Sequence, residues 1–335
     1  MSSALLSVAS PLRRWRILVL LLAAVGGVGL AWLLVHRQPR KLTVAITTWP
    51  GYEYFYLAEQ KQLALAEGLD LRVNQYTSLE DQRLAFVRGD VNVMATTLPE
   101  AIAVCQDVPS RCPQLILVLD QSLGGDRVMA TTDLASSRDL VGRRVGLERT
   151  VLAEYLLLRS LAGAPVAIEQ FQLRFDGPVA LVQQLKAGEL DAIVTYSPHD
   201  IPLEQDDRFH ELFSSRDIPG EVVDVLAVDP VFAQARARDL RDLVRTWWAV
   251  RDYARRNRTE AVAVMAQRQQ ISPADFSTSE LGLQYPSAAE QLQLLAADGP
   301  VAETIERMAA LMRQERRIRA DSPLPQPSTA FLLDP

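Results

Sequence analysis

The chain has 335 residues, 48% of them apolar and 23% charged, with a formal net charge of −6 and two cysteines. That length suggests about two domains, and the apolar content excludes a disordered chain. The acidic balance argues against nucleic acid as a partner, and two cysteines can neither staple a disulfide scaffold nor build a four-ligand zinc site.

Charge is unevenly spread. Residues 1–41 carry six cations (Arg13, Arg14, Arg16, Arg37, Arg40, Lys41) and no acid, which leaves residues 42–335 with a net of −12. Between the basic flanks, residues 17–35 hold no charge. As a helix this run is roughly 28 Å long, enough for a bilayer core, and the basic flank favours export of everything after residue 40. A cleaved signal peptide is the alternative, with Gly29-Leu30-Ala31 as its small-residue site. The apolar run continues through Trp32-Leu33-Leu34-Val35 straight into a basic stretch, which favours an uncleaved inner-membrane anchor. No cysteine lies near it, so a lipoprotein anchor is excluded. On either reading the rest of the chain is periplasmic.

In chain order, residues 42–48 read as a strand ending in Trp49-Pro50-Gly51-Tyr52, followed by a helix from Glu53 to about Leu65. Residues 69–73 alternate as a strand does. Ser78-Leu79-Glu80-Asp81 is a capping signal for a helix that Gly89 closes. Residues 91–95 form the next strand, and Thr97-Leu98-Pro99-Glu100 opens the next helix. Cys105 and Cys112 are separated by six residues rich in turn formers, and in an oxidising compartment they are candidates for a structural disulfide. Strands that alternate with helices imply an α/β sheet of parallel type.

A second half repeats this punctuation. The stretch Gly89-Asp90-Val91-Asn92-Val93 aligns with Gly188-Glu189-Leu190-Asp191-Ala192, an offset of 99 that also carries Pro99 onto Pro198 and Thr48-Trp49 onto Leu147-Glu148. Residues 143–147 read as a strand, and Thr150 caps a helix over 151–162. Farther on, residues 221–228 read as a buried strand, while 233–270 and 302–319 are helical by periodicity. Leu243, Trp247, Val250, Tyr253 and Ala254 form an apolar packing stripe. The proline-rich residues 321–335 read as a strap or a loose end.

Several of these segments resemble one family of ABC transporter substrate-binding proteins, the nitrate/taurine/alkanesulfonate and thiamine-precursor family. The resemblance rests on Thr48-Trp49-Pro50-Gly51-Tyr52, Glu67-Gly68-Leu69-Asp70-Leu71, Gly89-Asp90-Val91-Asn92-Val93, the run from Asp139 to Gly146, and Gly188-Glu189-Leu190-Asp191-Ala192. Ser122-Leu123-Gly124-Gly125-Asp126 and the run from Ile218 to Leu226 resemble a subgroup. The resemblance implies an α/β, two-lobed type II periplasmic-binding protein fold with two crossover strands, at 127–131 and 221–228, preceded by the N-terminal transmembrane helix. The implied parts are an anchor or signal segment (1–41), lobe 1 (42–126), lobe 2 (127–220), a return to lobe 1 with C-terminal helices (221–320) and a tail (321–335). The implied partners are a small-molecule solute and the permease and ATPase subunits of a transporter, with the receptor itself a monomer. Asn92 departs from the family, which usually has Asp there.

Ligands of open α/β sheets bind where strand ends and helix starts converge. The candidate ligand-binding residues are therefore Trp49, Tyr52, Ser78, Thr96, Thr97, Ser122, Asp126, Arg149, Thr150 and Tyr196. Trp49, Tyr52 and Tyr196 offer aromatic walls. Helix starts near Tyr52, Thr97 and Thr150 offer N–H donors to an anion, and Arg149 a bidentate contact. Asp126 and Glu148 opposite a single Arg149 suit a zwitterionic or amine-bearing solute better than nitrate. No nucleophile–base pair, zinc motif or phosphate loop is apparent, so neither catalysis nor a cofactor is expected. The leading function is a transport receptor for a small organic solute (sulfonate, amine or thiamine-precursor-like). A membrane-tethered sensor and an enzyme on the same scaffold are the alternatives.

Overall fold

The computed structural model describes residues 38–161 and 168–332. The apolar run at 17–35 lies outside them, and no helix among the described residues is long and apolar enough to cross a membrane.

The first sheet opens with β1 (Arg40–Ile46) and β2 (Leu69–Gln75), with helix α1 (Glu53–Gln60) between them. The helix predicted to reach Leu65 stops at Gln60 because Gln62 adopts φ 53°, and a 3-10 turn (Leu63–Glu67) follows. Helix α2 (Leu79–Arg88) starts where the capping signal places it, the Ser78 hydroxyl accepting from the Asp81 amide at 3.0 Å. Strand β3 (Val93–Thr97), helix α3 (Leu98–Asp107) and strand β4 (Gln114–Ser122) complete this stretch. Cys105 at the end of α3 is joined by a disulfide to Cys112 just before β4.

The chain then passes through Leu123-Gly124-Gly125 into β5 (Asp126–Thr131), which belongs to a second sheet. That sheet continues with β6 (Arg144–Leu147), α4 (Val151–Ser160), β7 (Gln172–Phe175), α5 (Pro178–Lys186), β8 (Ala192–Tyr196), a one-turn α6 (Ile201–Glu204) and β9 (Phe209–Ser214). Residues 215–222 lead back to β10 (Val223–Val228) in the first sheet. With β11 (Leu283–Gln284) at one edge, the strand orders are β11-β4-β10-β3-β1-β2 and β7-β6-β8-β5-β9. In each sheet an antiparallel strand contributed from the other half of the sequence lies beside the parallel core: β10 beside β3, and β5 beside β8.

The repeat is real but not at a single offset. Strands β3 and β8 lie 99 residues apart, yet Met94 pairs with Ala45 whereas Ile193 pairs with Gly146, so β1 and β6 are related by 101 residues. Thr47 therefore corresponds to Glu148, and Trp49 to Thr150.

The long helical stretch at 233–270 is three helices: α7 (Pro230–Ala235), α8 (Ala237–Arg256) and α9 (Arg258–Gln269), with breaks at Arg236 and Asn257. Leu243, Trp247, Val250 and Ala254 of the expected stripe are buried, packing α8 on the first sheet's core. Helices α10 (Pro273–Glu280) and α11 (Ala288–Leu294) and the short β11 (Leu283–Gln284) were not anticipated. Their brief, polar sequences carry too little periodicity to signal them. After α12 (Pro300–Gln314) the tail acts as a strap, its β12 (Gln326–Pro327) pairing parallel with β4.

Candidate functional site

One cavity gathers residues from the carboxyl ends of β1, β3, β6 and β8. It is a small cavity, of about 40 Å³. The first sheet and its helices contribute Thr47, Thr48, Trp49, Tyr52, Ser78, Leu79, Thr97 and Asp224. The second contributes Asp126, Glu148, Thr150, Leu152, Ala153, Leu156, Val194, Thr195 and Tyr196. Trp49 meets Tyr196 edge-on, their ring centroids 6.0 Å apart, so aromatic walls from the two sheets touch across the gap.

Strand register builds the polar floor. Asp224 of β10 lies opposite Thr97 of β3 on one side and Asp120 of β4 on the other. In the second sheet Asp126 of β5 lies opposite Tyr196 of β8. Trp49 Nε1 donates to Asp120 Oδ1 at 3.1 Å, and the Tyr52 hydroxyl donates to Asp224. Asp120 and Asp224 are register partners across β4 and β10, two buried carboxyl groups whose like charges disfavour each other. Burial, reinforced at Asp224 by the charge of its neighbour, raises the pKa of both. The result is a buried relay that fixes two aromatic walls. Gly51 makes room for it, since a Cβ there would fall 1.9 Å from Asp120 Oδ2.

Asp126 and Glu148 stand apart from that relay. Burial pushes each up to about 7; a hydrogen bond from Ser122 opposes the shift at Asp126 and one from Tyr196 opposes it at Glu148. Asp126 Oδ2, Thr97 Oγ1 and Thr195 Oγ1 are buried and find no hydrogen-bond partner among the described residues. No lysine, arginine or histidine is among the lining residues.

Seven of the ten sequence-predicted residues line this cavity: Trp49, Tyr52, Ser78, Thr97, Asp126, Thr150 and Tyr196. Three do not. Thr96 points into the interior of the first sheet, fully buried. Ser122 braces the passage between the sheets, its hydroxyl 2.8 Å from that of Ser215 and accepting from the Asp126 amide at 3.2 Å. Arg149 turns outward to stack over Phe175, 4.3 Å from its ring centroid. The expected anion-binding helix start at Thr150 is also occupied. Thr150 Oγ1 accepts from Ala153 N, while Glu100 from α3 accepts from Val151 N at 2.6 Å and Leu152 N at 3.4 Å.

Sequence reasoning missed Asp224, although a lone acid inside the apolar run Val222-Val223-Asp224-Val225-Leu226 was a usable signal. It also missed Leu152, Ala153 and Leu156, which look like ordinary core residues of an amphipathic helix.

A family model, the NMT1-like family, matches residues 36–269. The chain belongs to the NMT1-like family. The expected kinship with ABC substrate-binding proteins of the nitrate and sulfonate type is thereby borne out. Comparison with curated proteins gives no match. Among solved structures, the alkanesulfonate-binding protein SsuA from Xanthomonas axonopodis pv. citri, bound to MOPS, superposes with a TM-score of 0.66 at 15% identity, covering 84% of this chain and 95% of its own. The periplasmic nitrate-binding protein NrtA from Synechocystis PCC 6803 gives 0.60 at 12%, covering 86% and 92%. DSZB in complex with biphenyl-2-sulfinic acid gives 0.62 at 14%, covering 87% and 98%. At such identities the likeness establishes the fold: this NMT1-like chain has the α/β, two-sheet architecture of periplasmic binding proteins.

Proposed function

We propose that this chain is the substrate-binding component of an ABC importer. It takes a small organic solute into the cavity between two lobes, residues 42–126 with 221–320 on one side and 127–220 on the other, and offers the closed form to permease and ATPase subunits. The observation that carries the reading is a single cavity with walls from both sheets, closed over by Trp49 against Tyr196. A ligand that touches both walls favours the closed arrangement by its differential affinity for it. The protein works as a monomer on the periplasmic side of the inner membrane, tethered by residues 17–35. The Cys105–Cys112 disulfide supports that location, since such bonds persist in oxidising compartments. Binding proceeds without turnover. The histidine nearest the cavity, His199, is pushed down to about 4 by burial and packs edge-on against Tyr196, 5.1 Å between centroids.

The test is small-angle scattering and tryptophan fluorescence on the full chain in detergent, with and without candidate solutes (sulfonates, amines and thiamine-precursor-like pyrimidines). A binding solute is expected to reduce the radius of gyration and change Trp49 emission, and Trp49→Ala to weaken binding tenfold or more. Binding with no compaction, or conversion of the solute to product, would overturn the receptor reading.

A further inference from the structure

The charge distribution around the cavity is one-sided. Asp126, Glu148 and Asp224 line it, Asp120 lies just behind, and no basic side chain is among the lining residues. The nearby cations are committed elsewhere. Arg127 Nε donates to the Gly124 carbonyl at 2.7 Å and forms ion pairs with Asp200, Glu204 and Glu211, and Arg149 lies outside over Phe175. Several of the donors that could serve an anion are spent, and the buried hydroxyls of Thr97 and Thr195 are the ones left without partners. The Trp49 indole and Tyr52 hydroxyl serve the carboxyl relay, the Tyr196 hydroxyl serves Glu148, and the first amides of α4 serve Glu100. Beside those hydroxyls, the lining holds buried acceptors without a partner: Asp224 Oδ2 and Asp126 Oδ2, the latter on a residue 4% exposed that lines the cavity with Trp49, Tyr196, Leu152 and Leu156. An acceptor left in that state is destabilising until something donates to it.

We infer that the solute is an organic cation, a flat molecule whose protonated amine or amidinium donates to Asp126 and Glu148 while its apolar body lies against Trp49 and Tyr196. This inference rests on the receptor reading and deepens it. Three features favour this class. A positive charge gains from both carboxylates in a low-dielectric site, and it draws them into their ionised form, which repels an oxyanion. An N–H donor satisfies the ionised Asp126 Oδ2, which a carboxylate, sulfonate or nitrate cannot do. The aromatic faces of Trp49 and Tyr196 attract cations as well as flat apolar rings. The anion-binding neighbours on this fold are therefore a poor guide to this chain's cargo.

The test uses four probes of one size on the full chain in detergent, by isothermal titration: benzamidine, benzylamine, benzyl alcohol and phenylmethanesulfonate, with nitrate as a fifth. Benzamidine and benzylamine are expected to bind at least tenfold tighter than benzyl alcohol, and the two anions not to bind. Asp126→Asn should weaken benzamidine at least tenfold and bring it level with benzyl alcohol. Glu148→Gln, at a less buried position, should weaken it several-fold and serves if Asp126→Asn does not fold. Phenylmethanesulfonate or nitrate binding as tightly as benzamidine would overturn the inference. So would benzamidine binding unchanged in both variants, or no binding of either cation. Sulfonate binding that compacts the protein and is lost in Trp49→Ala would sink the cation alone and leave the receptor standing. Cation binding without compaction would do the reverse.

Discussion

At the scale of single residues, the site is held by carboxyl groups kept partly protonated. Asp126 and Glu148 are pushed up to about 7 and Asp200 to about 6, and Asp120 and Asp224 are also raised, all chiefly by burial. A raised carboxyl pKa means that the folded state binds more protons than the unfolded one between about pH 4 and 7. The stability tied to those protons is therefore present at the acid end and lost as pH climbs through the folded pKa. The groups facing Asp126 act in the same direction or stay neutral: Glu148, Asp200, Asp120 and Asp224 are acids, and Tyr52 and Tyr196 are phenols whose own pKa values are raised. Arg251 acts on Asp120 with the opposite sign, and so does Arg127 on Asp200. His199, buried and neutral, offsets part of the effect below about pH 6.5, while Asp191, Asp206 and Glu221 are held low and titrate below this window. The ligand-free protein is thus expected to melt on the order of 5 °C higher at pH 5.5 than at pH 8. Differential scanning fluorimetry across that range checks it. Asp126→Asn should flatten the slope, and a slope of the opposite sign would show that the acids are ionised and solvated.

Among the elements, α3 and α4 meet through one buried side chain. Glu100 stands in the first turn of α3, caps the first amides of α4 and lies 3.1 Å from Arg83 Nε. Since α3 follows a strand of the first sheet and α4 a strand of the second, this carboxylate ties the two sides of the cavity together at a helix N-terminus, where negative charge is stabilised. Glu100→Gln keeps the volume and removes the charge. It should cost about 1 kcal/mol, weakening ligand binding roughly fivefold and enlarging the ligand-free radius of gyration. Titration and scattering on the same sample read both quantities, and unchanged affinity would assign Glu100 to local capping alone. The aligned positions Asn92 and Asp191 show why the family's usual acid at Asn92 is not needed for a ligand. Asp191 takes the Arg144 amide and guanidinium, Asn92 accepts from Arg111 at 3.1 Å, and neither lines the cavity.

For the molecule as a whole, the narrow passage is at Leu123-Gly124-Gly125. The chain leaves β4 and enters β5 there within three residues, with Leu123 N donating to the Gly282 carbonyl at 2.7 Å and Gly124 N to Ser215 Oγ at 2.7 Å. Gly124 adopts φ +104°, which favours glycine, and a Cβ on it would come 2.3 Å from Arg216 Nη2. Gly124→Ala should destabilise the fold by about 1–2 kcal/mol, a fall of a few degrees in Tm, and slow closure measured by stopped-flow Trp49 fluorescence. A Tm change with unaltered closure kinetics would mean that the sheets move about the other connection, residues 215–222.

Local punctuation made the sheet-forming units legible from sequence. The Ser78 cap, Gly89 and the Thr150 cap mark element ends by chemistry that acts within a few residues, and the apolar run into β10 marks a buried strand. The same local signals placed Trp49, Tyr52, Thr97, Thr150 and Tyr196 at strand ends, where a cleft of this fold lies. What they could not convey is which partners those groups meet. The Asp120–Asp224 contact joins residues 104 apart in the chain through strand register, and Glu100 caps a helix 51 residues later. Arg149 leaves the cleft because Phe175, on a neighbouring strand, offers it a ring face. Sequence thus determined the elements and the kinship, because capping, periodicity and turns are short-range. Only the tertiary structure decided the sign of the site, because charge in a cavity depends on which side chains long-range pairing has already neutralised.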